Sequence, residues 1–86
     1  MRKSIHSSAY KLLLELLIAK REELGVTQVQ LAKRLRMTQS SVSKVERGER
    51  RLDVVELHQW CSALRTSFAD FTAELDRSIG TVGTRK

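Results

Sequence analysis

The feature that most constrains this chain is the stretch 27–48, TQVQLAKRLRMTQSSVSKVERG, which has the pattern of two short helices joined by a tight turn. Thr27 is placed to cap the first helix, and Gln30, three residues later, completes a capping box. Thr38 repeats this role before the second helix, and Gly48 follows that helix as its C′ residue. Two helices of about eight residues around a turn of about three match a helix-turn-helix.

The second helix of this motif has one apolar face and one polar, basic face. Val42 and Val45 are three residues apart and therefore share a face. The remaining side chains lie largely on the other face: Gln39, Ser40, Ser43, Lys44 and Arg47. Such an outer face is typical of a helix that inserts into a groove of DNA.

The length and composition of the chain indicate one small soluble domain. Eighty-six residues can fold around a single core, and the single cysteine excludes an intramolecular disulfide and suits a reducing cytoplasm. The longest apolar run, 12–19, is interrupted by Glu15 and is far shorter than the roughly 20 residues that span a bilayer. It also lacks the cleavage site of a signal peptide. We therefore expect a cytoplasmic protein with no membrane partner.

Positive charge is concentrated on the motif and on the loop that follows it. The chain has a net charge of +6; residues 33–51 hold seven Lys and Arg against two Glu, a net +5, whereas residues 52–79 hold two Arg against five Asp and Glu, a net −3. A solvated surface can carry a similar run of charge. On the outer face of such a helix, however, the charge favours double-stranded DNA as the partner.

The rest of the chain predicts three further helices. A first helix over 10–24 ends at Gly25, Asp53 and Glu56 form a second capping box, and Ser67 caps a last helix. The helix after Asp53 has an apolar stripe of Leu57, Trp60, Cys61 and Leu64. We expect an all-α fold with a flexible basic arm at 1–8, one domain at 9–79 and a flexible tail at 80–86.

No group of residues predicts an enzyme, a cofactor or a metal. The chain shows no convergent carboxylates, no nucleophile–base pair and no glycine-rich phosphate loop. His58 and Cys61 are three residues apart, but the only other histidine is His6 in the arm, so a zinc site is not expected. Cys61 lies on an apolar stripe, which indicates a core residue.

The run REELGVTQVQLAKRLRMTQSSVSKVERGERRLDVVEL resembles the Cro/repressor-type, or XRE-like, helix-turn-helix family. Its most specific pieces are the LGVTQxxLA entry, the TQSSVSKVERGER segment and the capped helix after it, and the resemblance covers roughly residues 10–75. It implies a compact five-helix, phage-repressor-like domain. It also implies a sequence-specific transcriptional regulator that works as a homodimer on a palindromic operator. We expect a repressor, with an activator as the open alternative, and we expect no cofactor.

The resemblance also places individual residues. Gln39, Ser40 and Lys44 lie where the family reads base edges; glutamine can bind adenine through two hydrogen bonds, and lysine can reach guanine acceptors. Gln28, at the start of the first motif helix, lies where the family grips phosphate, next to free backbone N–H groups. Further phosphate contacts are predicted for Thr38, Ser43, Arg36, Arg47, Arg50 and Arg51.

One position departs from the family pattern, because the turn usually carries glycine where this chain has Arg36. If the turn keeps a left-handed backbone there, a residue other than glycine costs on the order of 1 kcal/mol. Two alternatives follow. Either the turn geometry differs, or the strain is accepted and Arg36 gains a contact with phosphate.

Two further questions stay open at this level. The same fold also serves antitoxin-like proteins and other protein-interaction modules, so a protein partner is the alternative to a purely DNA-binding role. In the last helix, Phe68, Phe71 and Leu75 could form the dimer contact, or they could belong to the core.

Overall fold

The computed structural model describes residues 7–82 of the chain, and these residues form five α-helices with short connections. They are α1 (Ser8–Glu23), α2 (Gln28–Leu35), α3 (Gln39–Glu46), α4 (Val54–Ala63) and α5 (Phe68–Val82). Within these residues there is no strand, and no helix has the length and apolarity needed to cross a membrane. The predicted all-α, five-helix architecture is confirmed.

The helices begin where the side-chain caps were predicted. Thr27 Oγ1 accepts a hydrogen bond from the Gln30 N–H at 3.1 Å, and Gln30 Oε1 accepts one from the Thr27 N–H at 2.9 Å. Asp53 and Glu56 form the same reciprocal pair at 2.7 and 3.1 Å. Both predicted capping boxes are therefore present, at α2 and α4. Single side-chain caps start the other helices: Ser7 for α1, Thr38 for α3 and Ser67 for α5.

The two ends of the domain differ from the prediction. Ser7 caps α1 and Ser8 is its first residue, so the helix begins inside the predicted arm 1–8. α5 continues through Gly80 to Val82, so the predicted tail boundary at residue 80 is wrong. Gly80 has no positive φ and does not end the helix, since a helical glycine costs only about 1 kcal/mol. The other residues of the predicted arm and tail, 1–6 and 83–86, lie outside the described residues.

Four helix ends turn through the left-handed region, and two of them use arginine. Gly25 and Gly48 have φ of 70° and 81°, as expected for glycine at a C′ position. Arg36 has φ 59° and ψ 45°, and Arg65 has φ 57°. At the end of α2, the Met37 N–H reaches back to the Ala32 carbonyl at 3.0 Å. The motif therefore keeps its usual turn, and Arg36 accepts the backbone strain there.

The core lies between the two motif helices and the three helices that support them. α2 packs chiefly on α3 and α4, and α1 packs on α5 and α3. The largest fully buried side chains come from all five helices: Trp60, Phe71, Leu17, Leu31, Leu64, Val42, Val45 and Cys61. Phe68 and Leu75 are half-buried against this core. Of the two alternatives for the last helix, the structure favours the core.

Cys61 is a core residue, in agreement with its place on the apolar stripe of α4. Its side chain is completely buried, and burial raises the pKa of the thiol to about 11. Because a thiol is nucleophilic only as the thiolate, this cysteine is inert near neutral pH.

Candidate nucleic-acid interface

α3 presents its polar side chains to solvent because both of its valines are buried in the core. Val42 and Val45 have no exposed surface, whereas Gln39, Ser40 and Lys44 are exposed. Ser40 and Lys44 are four residues apart and so lie on the same side of the helix. The three residues predicted to read bases therefore share the exposed surface of one short helix.

A chain of four hydrogen-bonded side chains leads from the exposed start of α3 to a buried ion pair. Gln39 Nε2 donates to Gln28 Oε1 at 2.7 Å, and Gln28 Nε2 donates to Glu46 Oε1 at 2.9 Å. Arg21 holds Glu46 through two bonds, Nε to Oε2 at 2.7 Å and Nη2 to Oε1 at 3.0 Å. The chain thereby connects α1, α2 and α3.

The ion pair at the inner end of this chain is shielded from water. The side chains of Arg21 and Glu46 are 13% and 6% exposed. Their two parallel bonds form the bidentate arrangement that makes guanidinium–carboxylate pairs strong. The hydrogen bond to Glu46 raises the pKa of Arg21, although burial opposes the shift. Arg21 also donates to the Val26 carbonyl at 3.0 Å, so it joins the loop before α2 to the pair.

The outer end of the chain leaves Gln39 with the groups that an adenine requires. Its amide donates one N–H to Gln28, so its second N–H and its carbonyl oxygen remain available. Those are the donor and the acceptor that pair with adenine N7 and N6. Gln28 in turn has one N–H left, at the N-terminus of α2, where the predicted phosphate contact would lie.

Arg47, at the end of α3, is already engaged with side chains of the protein. Its guanidinium binds Glu49 through Nε and Nη2, at 2.9 and 3.1 Å, and its Nη1 donates to Ser43 Oγ. The hydrogen bond from Arg47 lowers the pKa of Glu49, and the pKa of Arg47 is raised. The two side chains are 52% and 55% exposed, so water and salt screen this pair.

The loop after α3 holds the other two predicted phosphate-binding arginines against neighbouring helices. Arg50 Nη2 lies 2.7 Å from Glu56 Oε2 on α4. The guanidinium carbon of Arg51 lies 4.6 Å from the centre of the Tyr10 ring, a cation–π contact with α1. The Tyr10 hydroxyl accepts a hydrogen bond from the Leu52 N–H at 3.2 Å, which ties the loop to α1.

Arg36 and Thr38 lie at the turn between the two motif helices. The exposed Arg36 guanidinium has no hydrogen-bond or ion-pair partner within residues 7–82. The Thr38 hydroxyl caps α3 by accepting from the Ser41 N–H, and it also donates to Ser41 Oγ at 3.0 Å. Thr38 therefore has acceptor capacity left for a ligand but no donor, whereas all five donors of Arg36 are free.

Sequence reasoning missed Glu46 and the role of Arg21. Arg21 continues the apolar stripe of α1 at helical spacing, and Glu46 directly follows the buried Val45. A charged residue at the end of a buried stripe is the signal that could have indicated a buried ion pair. The partner could not be identified, because the two residues are 25 positions apart.

No metal centre is found in the described part of the chain. Among residues 7–82, no three histidine, cysteine, aspartate or glutamate side chains come together to hold an ion.

Comparison with known proteins shows that this chain is similar to helix-turn-helix proteins. A family model described as helix-turn-helix matches residues 17–71. An XRE-family like protein from Pseudomonas syringae pv. tomato is 41% identical, with a TM-score of 0.81 over 87% of this chain and 92% of that chain. The clp gene regulator ClgR from Corynebacterium glutamicum is 29% identical, with a TM-score of 0.73 over 87% of this chain and 80% of that one.

A third structure similar to this one includes DNA. The restriction-modification controller protein C.Esp1396I, solved as a tetramer in complex with its natural 35 base-pair operator, is 26% identical to this chain. The TM-score is 0.78, and the match covers 86% of this chain and 97% of that one. No curated protein sequence matches this chain significantly.

Proposed function

Because this chain belongs to the XRE family of helix-turn-helix proteins, we propose that it is a sequence-specific transcriptional regulator, acting as a repressor on double-stranded DNA. α3 enters the major groove, and Gln39, Ser40 and Lys44 contact base edges. A second copy reads the other half of a palindromic operator.

The observation that carries this proposal is that a hydrogen bond to Gln28 holds the Gln39 side chain in position. The bond to Gln28 reduces the rotamer freedom that the Gln39 side chain would otherwise lose on meeting a base. The buried Arg21–Glu46 pair holds Gln28 in turn. A reading residue that is oriented before binding loses less conformational freedom when it meets a base pair, which supports contact with bases in addition to phosphates.

The arginines after α3 supply the sequence-independent part of binding. Arg47 and Arg50 exchange Glu49 and Glu56 for phosphate oxygens, and Arg51, Arg36 and Ser43 add contacts along the backbone. Thr38 joins them by turning its hydroxyl from Ser41 Oγ to a phosphate oxygen. Gln28 places its remaining N–H on a phosphate at the N-terminus of α2. Release of counterions makes this part of the affinity strongly dependent on salt.

We propose a homodimer because one reading helix can contact only a few base pairs. Eight residues of α3 cover only a few base pairs, so two copies are needed for a site that is rare in a genome. The similar controller protein C.Esp1396I binds its operator as a tetramer, and the similar ClgR is a gene regulator, which supports an oligomeric regulator here.

Selection from a random duplex DNA library at near-physiological salt tests the proposal. We expect enrichment of two short half-sites in inverted orientation, with centres about one helical turn, roughly 10 base pairs, apart. Binding at low salt without any enriched sequence would contradict specific recognition, because only the phosphate-gripping part would then operate. A single enriched half-site would contradict the dimer alone.

A further inference from the structure

A cavity outside the base-reading surface has a chemical character of its own. It has a volume of about 370 Å³ and opens between the end of α2 and the C-terminal half of α4. Its polar lining consists of side chains that can donate hydrogen bonds: Arg34, Arg36, His58, Gln59 and Ser62. Among the described residues that line it there is no carboxylate. Two arginines and three other polar residues border one space, which suits an anion.

The two arginines of this cavity differ from most of the other motif arginines. Arg47 and Arg50 are each paired with a glutamate. Arg36 has no such partner within residues 7–82, and Arg34 Nη1 donates to a backbone carbonyl, that of Ala63, at 2.8 Å. Arg34 is thereby held at the cavity wall with its other N–H groups available. The positive charge of this cavity is not neutralised by any carboxylate side chain of its lining.

The helix ends beside the cavity do not cancel this charge. The C-termini of α2 and α4 each act as roughly half a negative charge. Arg34 and Arg36 together carry two positive charges, so a net charge of about one remains. Two of the carbonyls at these helix ends are occupied by donors: the Arg36 N–H binds the Lys33 carbonyl at 3.2 Å, and Arg34 binds the carbonyl of Ala63. An anion entering the cavity therefore meets donors.

The other polar residues of the lining are positioned by α4. His58 and Ser62 are four residues apart and lie on one side of the helix, with Gln59 next to them. The His58 ring packs against Phe68 with their centres 5.2 Å apart. Within residues 7–82 none of the side chains of His58, Gln59 and Ser62 has a hydrogen-bond partner.

Arg36 reaches the cavity from a strained position. Its left-handed backbone is the conformation in which glycine would be unstrained, yet the chain places a guanidinium there. Strained residues are concentrated where they serve a function.

From these observations we propose that the cavity between α2 and α4 binds a phosphate group, with Arg34 and Arg36 as the charged donors and His58, Gln59 and Ser62 as further donors. Arg36 is shared with the proposed function, on which the DNA-backbone alternative rests, whereas Arg34 and the α4 side chains take no part in that function. The phosphate belongs either to a small phosphorylated molecule or to DNA backbone beside the operator, and both offer the same chemistry.

Titration of the full chain with inorganic phosphate, followed by backbone and side-chain NMR at constant pH and ionic strength, tests this site. We expect saturable shifts of the amides at 34–36, of the Gln59 side-chain amide and of the His58 ring. Arg36→Gly should weaken phosphate binding about tenfold while raising the urea midpoint of unfolding, because it removes the guanidinium and relieves the strain together.

Lys33→Ala is the matched control, since it removes one positive charge from an exposed position of the same helix that does not line the cavity. Phosphate affinity should change by less than about twofold. Equal losses in Lys33→Ala and Arg36→Gly, or shifts no larger than those caused by chloride, would overturn the site.

Repeating the titration on a complex with duplex DNA distinguishes the two sources. If phosphate still binds with unchanged affinity, the ligand is a free phosphorylated molecule. If the duplex itself shifts the same signals and abolishes the response to phosphate, the cavity holds the DNA backbone. A duplex that leaves these signals unmoved yet blocks phosphate would contradict a direct site for either.

Discussion

The base-reading residue Gln39 and the phosphate-gripping residue Arg47 are each connected to an ion pair, and the two pairs differ in their exposure to water. Gln39 is connected through Gln28 to a pair whose side chains are 13% and 6% exposed. Arg47, at the other end of the same helix, is paired with Glu49, and those side chains are 52% and 55% exposed. Glu46, the last residue of α3, thus belongs to a shielded pair that supports the start of the helix through Gln28, whereas the next residue, Arg47, belongs to a loose, hydrated pair.

The difference shows how this protein can separate sequence-specific contacts with bases from sequence-independent contacts with phosphates. A buried pair is strongly destabilised when one partner is removed, so it keeps its geometry and orients what is attached to it. An exposed pair contributes little, so its arginine can exchange carboxylate for phosphate at small loss. Gln39 belongs with the first kind of pair, and the phosphate-gripping arginines Arg47 and Arg50 belong with the second.

The largest effect expected on stability concerns the buried pair. Glu46→Gln should lower the free energy of unfolding by about 2 kcal/mol, because the largely shielded Arg21 guanidinium loses its counter-charge and keeps only neutral acceptors such as the Val26 carbonyl. Urea denaturation followed by circular dichroism measures this change. Glu49→Gln is the control, since it removes the same charge from an exposed pair and should leave the midpoint unchanged within error. Equal destabilisation by both would abolish the distinction drawn here.

The next effect concerns the link between Gln28 and Gln39. Gln39→Ala should weaken binding to the selected operator by roughly 2 kcal/mol, about thirtyfold, and relax the preference at one base pair. Gln28→Ala should also lower specific affinity, because it releases Gln39 and removes a phosphate contact. Fluorescence anisotropy on the two single variants and the double variant measures their coupling. Strictly additive losses would show that Gln28 does not position Gln39.

The local part of this architecture could be predicted from sequence. The boxes at Thr27 and Asp53, the cap at Thr38 and the C′ position of Gly48 each depend on residues within a few positions of one another. The buried stripe of α4 was predicted for the same reason, since periodicity alone specifies a face. The residues proposed as DNA contacts, Lys44 among them, remain predictions.

What could not be predicted depends on contacts between distant positions. Gln28 and Glu46 are 18 residues apart, and Arg21 reaches Glu46 across 25. Sequence patterns indicate which side chains are buried but not which of them meet. The left-handed Arg65 was missed because arginine has no local preference for that backbone. At Arg36 two turn geometries were open, and the structure has the left-handed one.

Arg50, which belongs to an exposed ion pair, provides a test of the sequence-independent contacts. Arg50→Ala should lower affinity for all sequences about equally and reduce the salt slope by about 1, because it removes one phosphate contact. Lys44→Ala should instead weaken binding to the preferred site and relax the preference at one base pair. Binding curves at several salt concentrations, on the operator and on random duplex, separate the two patterns. Identical losses on both duplexes for both variants would count against these roles.

The smallest effect concerns Glu56, the partner of Arg50. The Asp53 N–H first, and then Arg50, lower the pKa of this carboxyl from its ordinary 4.5. A group whose pKa is lower in the folded state stabilises fully above its unfolded pKa and loses that contribution as the pH falls through the folded value. Glu56 should therefore stabilise the protein above about pH 5.5, with the contribution fading below 4.5.

Urea midpoints of the wild type and of Glu56→Gln between about pH 3 and 6 measure this contribution. The variant keeps an amide that can still accept from the Asp53 N–H, so the difference between the two proteins isolates the charge. We expect the difference to be constant near pH 6 and to shrink toward acid. A difference that grew toward acid would mean that the carboxylate is worse placed when folded than when unfolded. Because the paired side chains are 40% and 30% exposed, the effect should be far smaller than that of Glu46→Gln.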